Sequence, residues 1–322
     1  MELIKDTNLK FVSHRKIFYF ISAIIILVGL ISFLFQGFNF GIDFAGGTLI
    51  QLKFEQEEVT VAEIRSALAE MNLDTSTIQS LSPNEFVIRT NQIESEGREE
   101  LLKNIENKIG SFEVLRVEMV GPVIGESLKR LTIFAIIFAL IGIILYITIR
   151  FEFRFAITSI IALVHDVLIT LGILSLLQKE ITMPVIAAIL TIVGYSINNT
   201  IVIFDRLREN LKSKSRSSLE VIIDLSINQS LTRTIYTALT TLLPLFPLYF
   251  FGGTLSDFAF VLLVGITVGT YSSICIAGPL LLELKKKGKM PIKSVSSTNQ
   301  KVKDQQDIKN IRKAKKKKDK VK

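Results

Sequence analysis

The chain has 322 residues, 49% of them hydrophobic, with 18 Gly, 7 Pro, no Trp and a net charge of +8, and its mean hydropathy is +0.44. Soluble proteins of this size rarely run so apolar, and the apolar residues gather into six blocks of about 20, the length that crosses a hydrocarbon core of roughly 30 Å. An ordinary soluble enzyme, a disordered chain and a disulfide scaffold are thereby excluded. The single cysteine, Cys275, makes no internal disulfide or four-ligand zinc site and reads as a packed residue of an apolar run.

The first predicted span is Ile17–Phe35. It follows His14, Arg15 and Lys16, exceeds a usual signal-peptide core and is followed by no Ala-x-Ala site, so it reads as an uncleaved signal anchor. Residues 36–130 come next, the only sizeable soluble part. Phe40–Phe54 opens with Gly-rich turns and passes into an alternating strand, Thr48 to Phe54. Thr60 caps a helix with Val61, Ile64, Leu68 and Met71 on one face. Ile78–Leu81 and Phe86–Thr90 flank a Ser-Pro-Asn hairpin signal, Arg98–Ile109 is a second helix, and Phe112–Val120 a last strand. The order β-α-β-β-α-β predicts a ferredoxin-like α+β domain. Gly41, Gly46 and Gly47 do not have the spacing of a phosphate-binding loop, and both histidines lie elsewhere, so this domain reads as a binding or conformational module.

The remaining spans are Leu131–Ile149, Phe155–Leu177, Met183–Phe204, Thr234–Phe251 and Phe258–Leu282, with residues 205–233 as a loop. Six spans put both termini on one side. That side carries 28 Lys and Arg against ten on the other, so both termini are predicted to be cytoplasmic. Residues 285–322 hold sixteen basic and three acidic residues, and residues 36–128 hold sixteen acidic and seven basic. The basic balance therefore describes the tail, which reads as a disordered topology anchor, with anionic lipid, ribosomal RNA or an acidic protein patch as alternative partners.

Asp166 is the sharpest residue, because it falls in the middle of the third span. An acid there costs on the order of 2.5–3.5 kcal/mol and is usually paired or functional. With His165 before it, it reads as an ion relay or its support; the alternative is an acid that only locks helices together. The fourth span carries Thr191, Tyr195 and Asn199 along one predicted polar face, with Asn198 and Thr200 beside them. An amide carries no proton by titrating, so interhelical hydrogen bonding is at least as good a reading. Arg233 enters the fifth span and either reaches an acid or snorkels to the surface. Pro244 and Pro247 predict a kink. Gly265, Gly269, Ser273 and Ala277 predict a close-packing ridge on the sixth span. Asp205, Arg206, Leu207, Arg208, Glu209 and Asn210 continue the fourth helix as a charged surface helix, a docking site or a positive-inside anchor.

Several stretches together resemble the SecF family, membrane subunits of the bacterial Sec export machinery. They are Phe40–Thr48 (FGIDFAGGT, with Gly41, Asp43, Gly46 and Gly47), Val120–Gly125 (VGPVIG), Ala162–Thr170 (ALVHDVLIT), Val193–Asn210, Leu225–Thr241 and Leu248–Gly253. They occur in order over roughly residues 10–284 of a six-span layout. The resemblance implies a unit paired with SecD, similar to the RND transporters, that associates with the SecYEG channel and YajC. Such a unit uses a proton gradient, or sodium in some lineages, to assist late preprotein translocation across the cytoplasmic membrane. It implies no cofactor, no enzymatic activity and no nucleic-acid partner. Asp166 and Arg233 match the family's acid and arginine, whereas Asn199 stands where the family often has an aspartate. Either conduction rests on an acid of SecD with Asp166 and Arg233 assisting, or the coupling ion is not a proton. Two rivals are a structural subunit that stabilises SecD and half of a small-molecule exporter; an outer segment of about 90 residues leaves the latter little room for a substrate pocket.

Overall fold

The computed structural model describes residues 7–56, 58–214 and 217–287. In chain order its elements are α1 (Arg15–Gln36), β1 (Asn39–Phe40), α2 (Ile42–Ala45), β2 (Gly47–Phe54), α3 (Val61–Ala69), β3 (Thr77–Ser82), β4 (Glu85–Thr90), α4 (Ser95–Ile109) and β5 (Phe112–Val120). There follow α5 (Pro122–Arg150), α6 (Phe153–Leu176), β6 (Glu180–Ile181), α7 (Met183–Ser213), α8 (Leu219–Leu242), α9 (Leu245–Phe251), α10 (Ser256–Ser272), a π-helical turn (Ser273–Ala277) and α11 (Gly278–Lys287). Among the described residues, six helical segments are long and apolar enough to cross a membrane. Of the predicted disordered tail, residues 283–322, the first five are helical in α11, and residues 288–322 lie outside the described residues, as does Lys5.

The sheet unit follows from its pattern. β2 is central and pairs antiparallel with β4 and β5, and β3 pairs with β4, giving the order β3-β4-β2-β5. Alternate residues Ile50, Leu52, Phe54, Phe86 and Ile88 point to one face and pack against Ile64 and Leu68 of α3 and Leu101 and Ile105 of α4. Thr60 starts α3 by a reciprocal cap: its hydroxyl accepts from Glu63 N, and the Glu63 carboxylate accepts from Thr60 N. Those bonds to Thr60 hold the Glu63 carboxyl below its usual range. Leu49, Val87 and Ile42 form a smaller apolar cluster on the opposite face.

Two segments differ from their predicted form, and the kink predicted at Pro244 is found as a break between helices. The stretch Phe40–Phe54 is not one turn-and-strand element. β1 pairs parallel with β6, and a short helix intervenes before β2 because Gly46 (φ 75°) and Gly47 (φ 125°) adopt left-handed backbone. The loop 205–233 is largely helical: α7 runs to Ser213, and α8 starts behind Ser218, whose hydroxyl accepts from Val221 N. Ile222, Ile223 and Ile227 bury one face of α8 and stabilise a helix that the charged sequence conceals. Pro244 separates α8 from α9, because proline cannot donate to the helical ladder.

The central helices are α6, α7 and α10, while α1 and α5 lie outermost. Large apolar side chains on the outer pair, such as Phe35 (86% exposed) and Ile149 (85%), would be unstable against water and fit a hydrocarbon solvent. α1 and α6 run parallel in a fixed register. Ser22 meets His165, and Ser32 Oγ lies 3.1 Å from Ser175 Oγ, both pairs 143 residues apart. Between them, at the same offset, Gly29 meets Gly172 so closely that an added Cβ would lie 2.6 Å from the Gly172 Cα. Contacts spaced seven and then three residues along both helices define a coiled-coil-like seam, with a backbone-to-backbone touch between the two polar pairs.

Candidate functional site

Asp166 is wholly buried in the middle of α6. Its Oδ1 lies 2.8 Å from His165 Nδ1. Its Oδ2 accepts hydrogen bonds from Ser196 Oγ of α7 and from Ser272 Oγ of α10, the latter at 2.7 Å. Each such bond to a charged acceptor is worth about 1.5–3 kcal/mol, enough together to offset the cost of an acid in an apolar span. The carboxylate thus ties three helices together. Ser272 is the last residue of α10 before the π-helical turn, an irregularity that concentrates at functional positions.

His165 turns away from this cluster towards α1. Its Nε2 lies 2.9 Å from Ser22 Oγ, and Ser22 Oγ lies 3.2 Å from Tyr271 Oη. Tyr271 donates to the Phe18 carbonyl at 3.0 Å. Adjacent residues on α6 therefore face different neighbours, yet bond to each other. Sequence reasoning missed Ser22, Ser196, Tyr271 and Ser272. The available signal was polar residues isolated within apolar runs, above all Tyr271-Ser272-Ser273.

Other sequence-predicted residues fall elsewhere. Arg233 is exposed on α8, and no ion pair joins it to Asp166 among the described residues. The predicted polar face of α7 is not one buried face: Thr191 and Asn198 are exposed, whereas Asn199 and Thr200 are buried and Tyr195 is half-buried. A helix turns 100° per residue, and the face towards Asp166 is set by Ser196. Asn199 Nδ2 and Tyr195 Oη are buried without a hydrogen-bond partner among the described residues. The close-packing ridge on α10 holds in part. Gly265 lies against Ile192 and Gly269 against Ser196, so the ridge presses α10 onto α7 and brings Ser272 to the carboxylate. On the extension of α7, Asp205 pairs with Arg150 at 3.0 Å, Arg206 with Gln229 and Glu209, and Arg208 is half-buried. Asn210 is buried and donates to Ser226 and Gln229 of α8, so this segment packs on one side rather than standing free.

The residues Gly41 to Gly47 form a joint between the sheet unit and the helices. Gly41 N donates to Ile181 O at 2.9 Å, and a side chain at Gly41 would strike Thr182 and Glu180. Asp43 accepts from Met183 N at 2.8 Å, which places a carboxylate on the free amide end of α7. An added Cβ at Gly47 would lie 2.4 Å from Thr90 O. Buried Glu180 of β6 pairs with half-buried Arg89 of β4. Burial pushes the Glu180 carboxyl up to about 7 against the pull of Arg89, with Asp257 and Asp43 adding to the rise. Asp257 is itself paired with Lys179 at 2.8 Å.

Comparison with known proteins finds relatives over most of the chain. Residues 99–287 match the family "Protein export membrane protein SecD/SecF, C-terminal", and residues 31–58 match the "SecD/SecF GG Motif". The chain is 43% identical over 88% of its length to "Protein translocase subunit SecF" of Calditerrivibrio nitroreducens, covering 97% of that protein. It is 48% identical over 81% of its length to the SecF of Desulfurispirillum indicum, covering 87% of it. The crystal structure of SecDF from Thermus thermophilus, described as a translocon-associated membrane protein, superposes with a TM-score of 0.81 at 39% identity over 88% of this chain. The chain spans 39% of the length of that SecDF polypeptide. This chain therefore belongs to the SecD/SecF family of protein export membrane proteins, as a SecF-type translocase subunit.

Proposed function

We propose that this subunit pairs with SecD in the bacterial cytoplasmic membrane and couples a proton gradient to late preprotein translocation through the SecYEG channel, with YajC as an accessory partner. The observation that carries the reading is the buried Asp166 carboxylate, held by Ser196 and Ser272 from two other helices. Both termini lie in the cytoplasm in this reading, and the sheet unit lies outside. The β-α-β-β-α-β order and the strand order β3-β4-β2-β5 support a ferredoxin-like outer domain.

The coupling works through packing. Protonating Asp166 removes the charge to which the two hydroxyls point, so α7 and α10 lose a shared attachment to α6. The π-helical turn after Ser272 gives α10 room to change its pitch locally. α7 carries the change outward, because its first turn is held by Asp43 and the preceding β6 is paired with β1. The sheet unit then moves with the ends of these helices, drawing on the emerging chain. In this reading Arg233, exposed on α8, meets SecD rather than Asp166, which its exposure supports. Asn199 supports packing and carries no proton.

Inverted membrane vesicles with SecD test this reading, with and without this subunit, under a proton gradient, a sodium gradient or neither. A late translocation step stimulated by the proton gradient only when the subunit is present is expected. Equal stimulation without it assigns the chain a structural role.

A further inference from the structure

We infer that Arg89 and Glu180 form a latch that holds the sheet unit, residues 47–120, against the ends of the helices on a two-strand glycine hinge. The inference deepens the coupling reading above and rests on it only for what releases the latch.

The hinge follows from the connections. The sheet unit joins the rest of the chain at two points, before β2 and after β5. These strands are neighbours, and Gly47 lies opposite Val120, so the two crossings run side by side. Each carries glycine. Gly46 (φ 75°) and Gly47 (φ 125°) lead into β2 in left-handed backbone, and Gly121 follows β5. An added Cβ at Gly46 would lie 3.4 Å from Val120 O and from Pro122 Cα, both atoms of the other crossing. One at Gly121 would meet open space. Two adjacent strands passing between rigid bodies define an axis, and a few residues at element ends absorb the change in backbone angles. On the helical side α2 is fixed, because Gly125 of α5 packs against the Phe44 carbonyl and Asp43 accepts from Met183 N.

The latch follows from the charges. A cleft of about 250 Å³ lies between the sheet face opposite α3 and α4, at Leu49, Leu81 and Val87, and the helical side, at Thr182, Pro184 and Leu255. Other charged groups lining it are paired on their own side: Arg116 with Glu118 along β5, and Asp257 with Lys179. Arg89 of β4 instead crosses to Glu180 of β6, the one salt bridge among the described residues that joins residues 47–120 to the helical part. Gln79 of β3 accepts from Arg89 Nη2 at 3.1 Å and aims the guanidinium. Glu180 is 5% exposed, so the pair is sheltered from the water that weakens surface ion pairs. Once parted, both charges meet water in the widened cleft, and neither stays buried without a partner.

The latch sits where the coupling acts. Glu180 lies just before Met183, the first residue of α7, so a shift of α7 carries Glu180 with it while Arg89 stays with the sheet. Parting the pair frees the sheet unit to turn about its glycines.

The test uses the full subunit with SecD in nanodiscs, where reagent reaches both faces. The native Cys275 is buried, which keeps background labelling low. Val87→Cys, 1% exposed in the cleft wall, reports opening, and Ala67→Cys, 0% exposed on the core face of α3, reports unfolding of the sheet unit. Arg89→Ala and Glu180→Ala are each expected to raise maleimide labelling of Val87→Cys about tenfold or more, the factor that loss of one charged hydrogen bond represents, with labelling of Ala67→Cys unchanged. The double variant should rise no further than the single ones, because the pair is lost only once. Unchanged labelling of Val87→Cys, equal rises at both reporters, or a double variant showing the product of the two single rises overturns the latch. Asp166→Asn separates the latch from the coupling reading. If it raises labelling of Val87→Cys as the pair variants do, both stand; if Arg89→Ala raises it and Asp166→Asn does not, the latch stands and the coupling reading falls.

Discussion

Gly29 and Gly172 meet at the centre of the seam between α1 and α6, so close that neither position has room for a methyl group. This one contact sets the register that brings Ser22 to His165 on one side and Ser32 to Ser175 on the other. Replacing Gly29 with Leu is expected to push the helices apart and break both polar pairs. A Ser32→Cys, Ser175→Cys double variant reads the register directly, since the native oxygens are 3.1 Å apart. It should cross-link readily with Gly29 in place and poorly with Gly29→Leu; equal cross-linking would show that the glycine pair does not set the seam.

At the joint, Gly47→Ala should destabilise the sheet unit by about 2–3 kcal/mol, because alanine is strained at positive φ and its Cβ meets Thr90 O. Limited proteolysis of the purified protein would show faster cleavage within residues 47–120. A cleavage rate equal to wild type would contradict the assignment of this glycine to backbone geometry.

Glu180 makes the joint sensitive to pH. A carboxyl raised from 4.5 to about 7 favours the folded joint in its neutral form. That stabilisation is complete below about 4.5 and is lost as pH rises through about 7. Its full size is about 3 kcal/mol. Hydrogen exchange at the Gly41 amide, bonded to Ile181 O, should be slower at pH 5.5 than at pH 8 after correction for intrinsic rates. Glu180→Gln should remove the difference; an unchanged pH dependence in that variant would place the sensitive group elsewhere.

Removing the Asp43 carboxylate tests the outer anchor of α7. Asp43→Ala should cost about 1 kcal/mol of local stability, the usual value of an oxygen acceptor at a helix start. The first-turn amides of α7 should exchange several-fold faster, whereas the middle of the helix should not change. Uniform exchange along α7 would contradict a capping role.

The helical spans and the alternation of β2 and β4 were legible in the sequence because each is a long, regular pattern. Thr60 announced the start of α3 because a capping residue preceded an apolar run of helical period; its reciprocal partner Glu63 emerged only in the structure. Asp166 stood out because an acid is rare in an apolar run. Its partners Ser196 and Ser272, and the Ser22 that bonds His165, did not: they come from three other helices, and no local spacing reports which helices meet. The first part of α8, residues 219–233, was hidden because its charged and amide residues mask a buried isoleucine face. Pairing of β1 with β6 joins segments about 140 residues apart, which only tertiary packing decides.

The central claim is that Asp166 couples the gradient through the hydroxyls it holds. Its most direct test is proton-gradient-stimulated translocation in vesicles containing SecD, comparing wild type, Asp166→Asn and Ser196→Ala with Ser272→Ala, each at equal complex levels. The account predicts that Asp166→Asn falls to the rate without a gradient and that the double serine variant keeps only a small part of the stimulation. Full stimulation in Asp166→Asn would contradict it and leave this buried carboxylate as a fastening between helices.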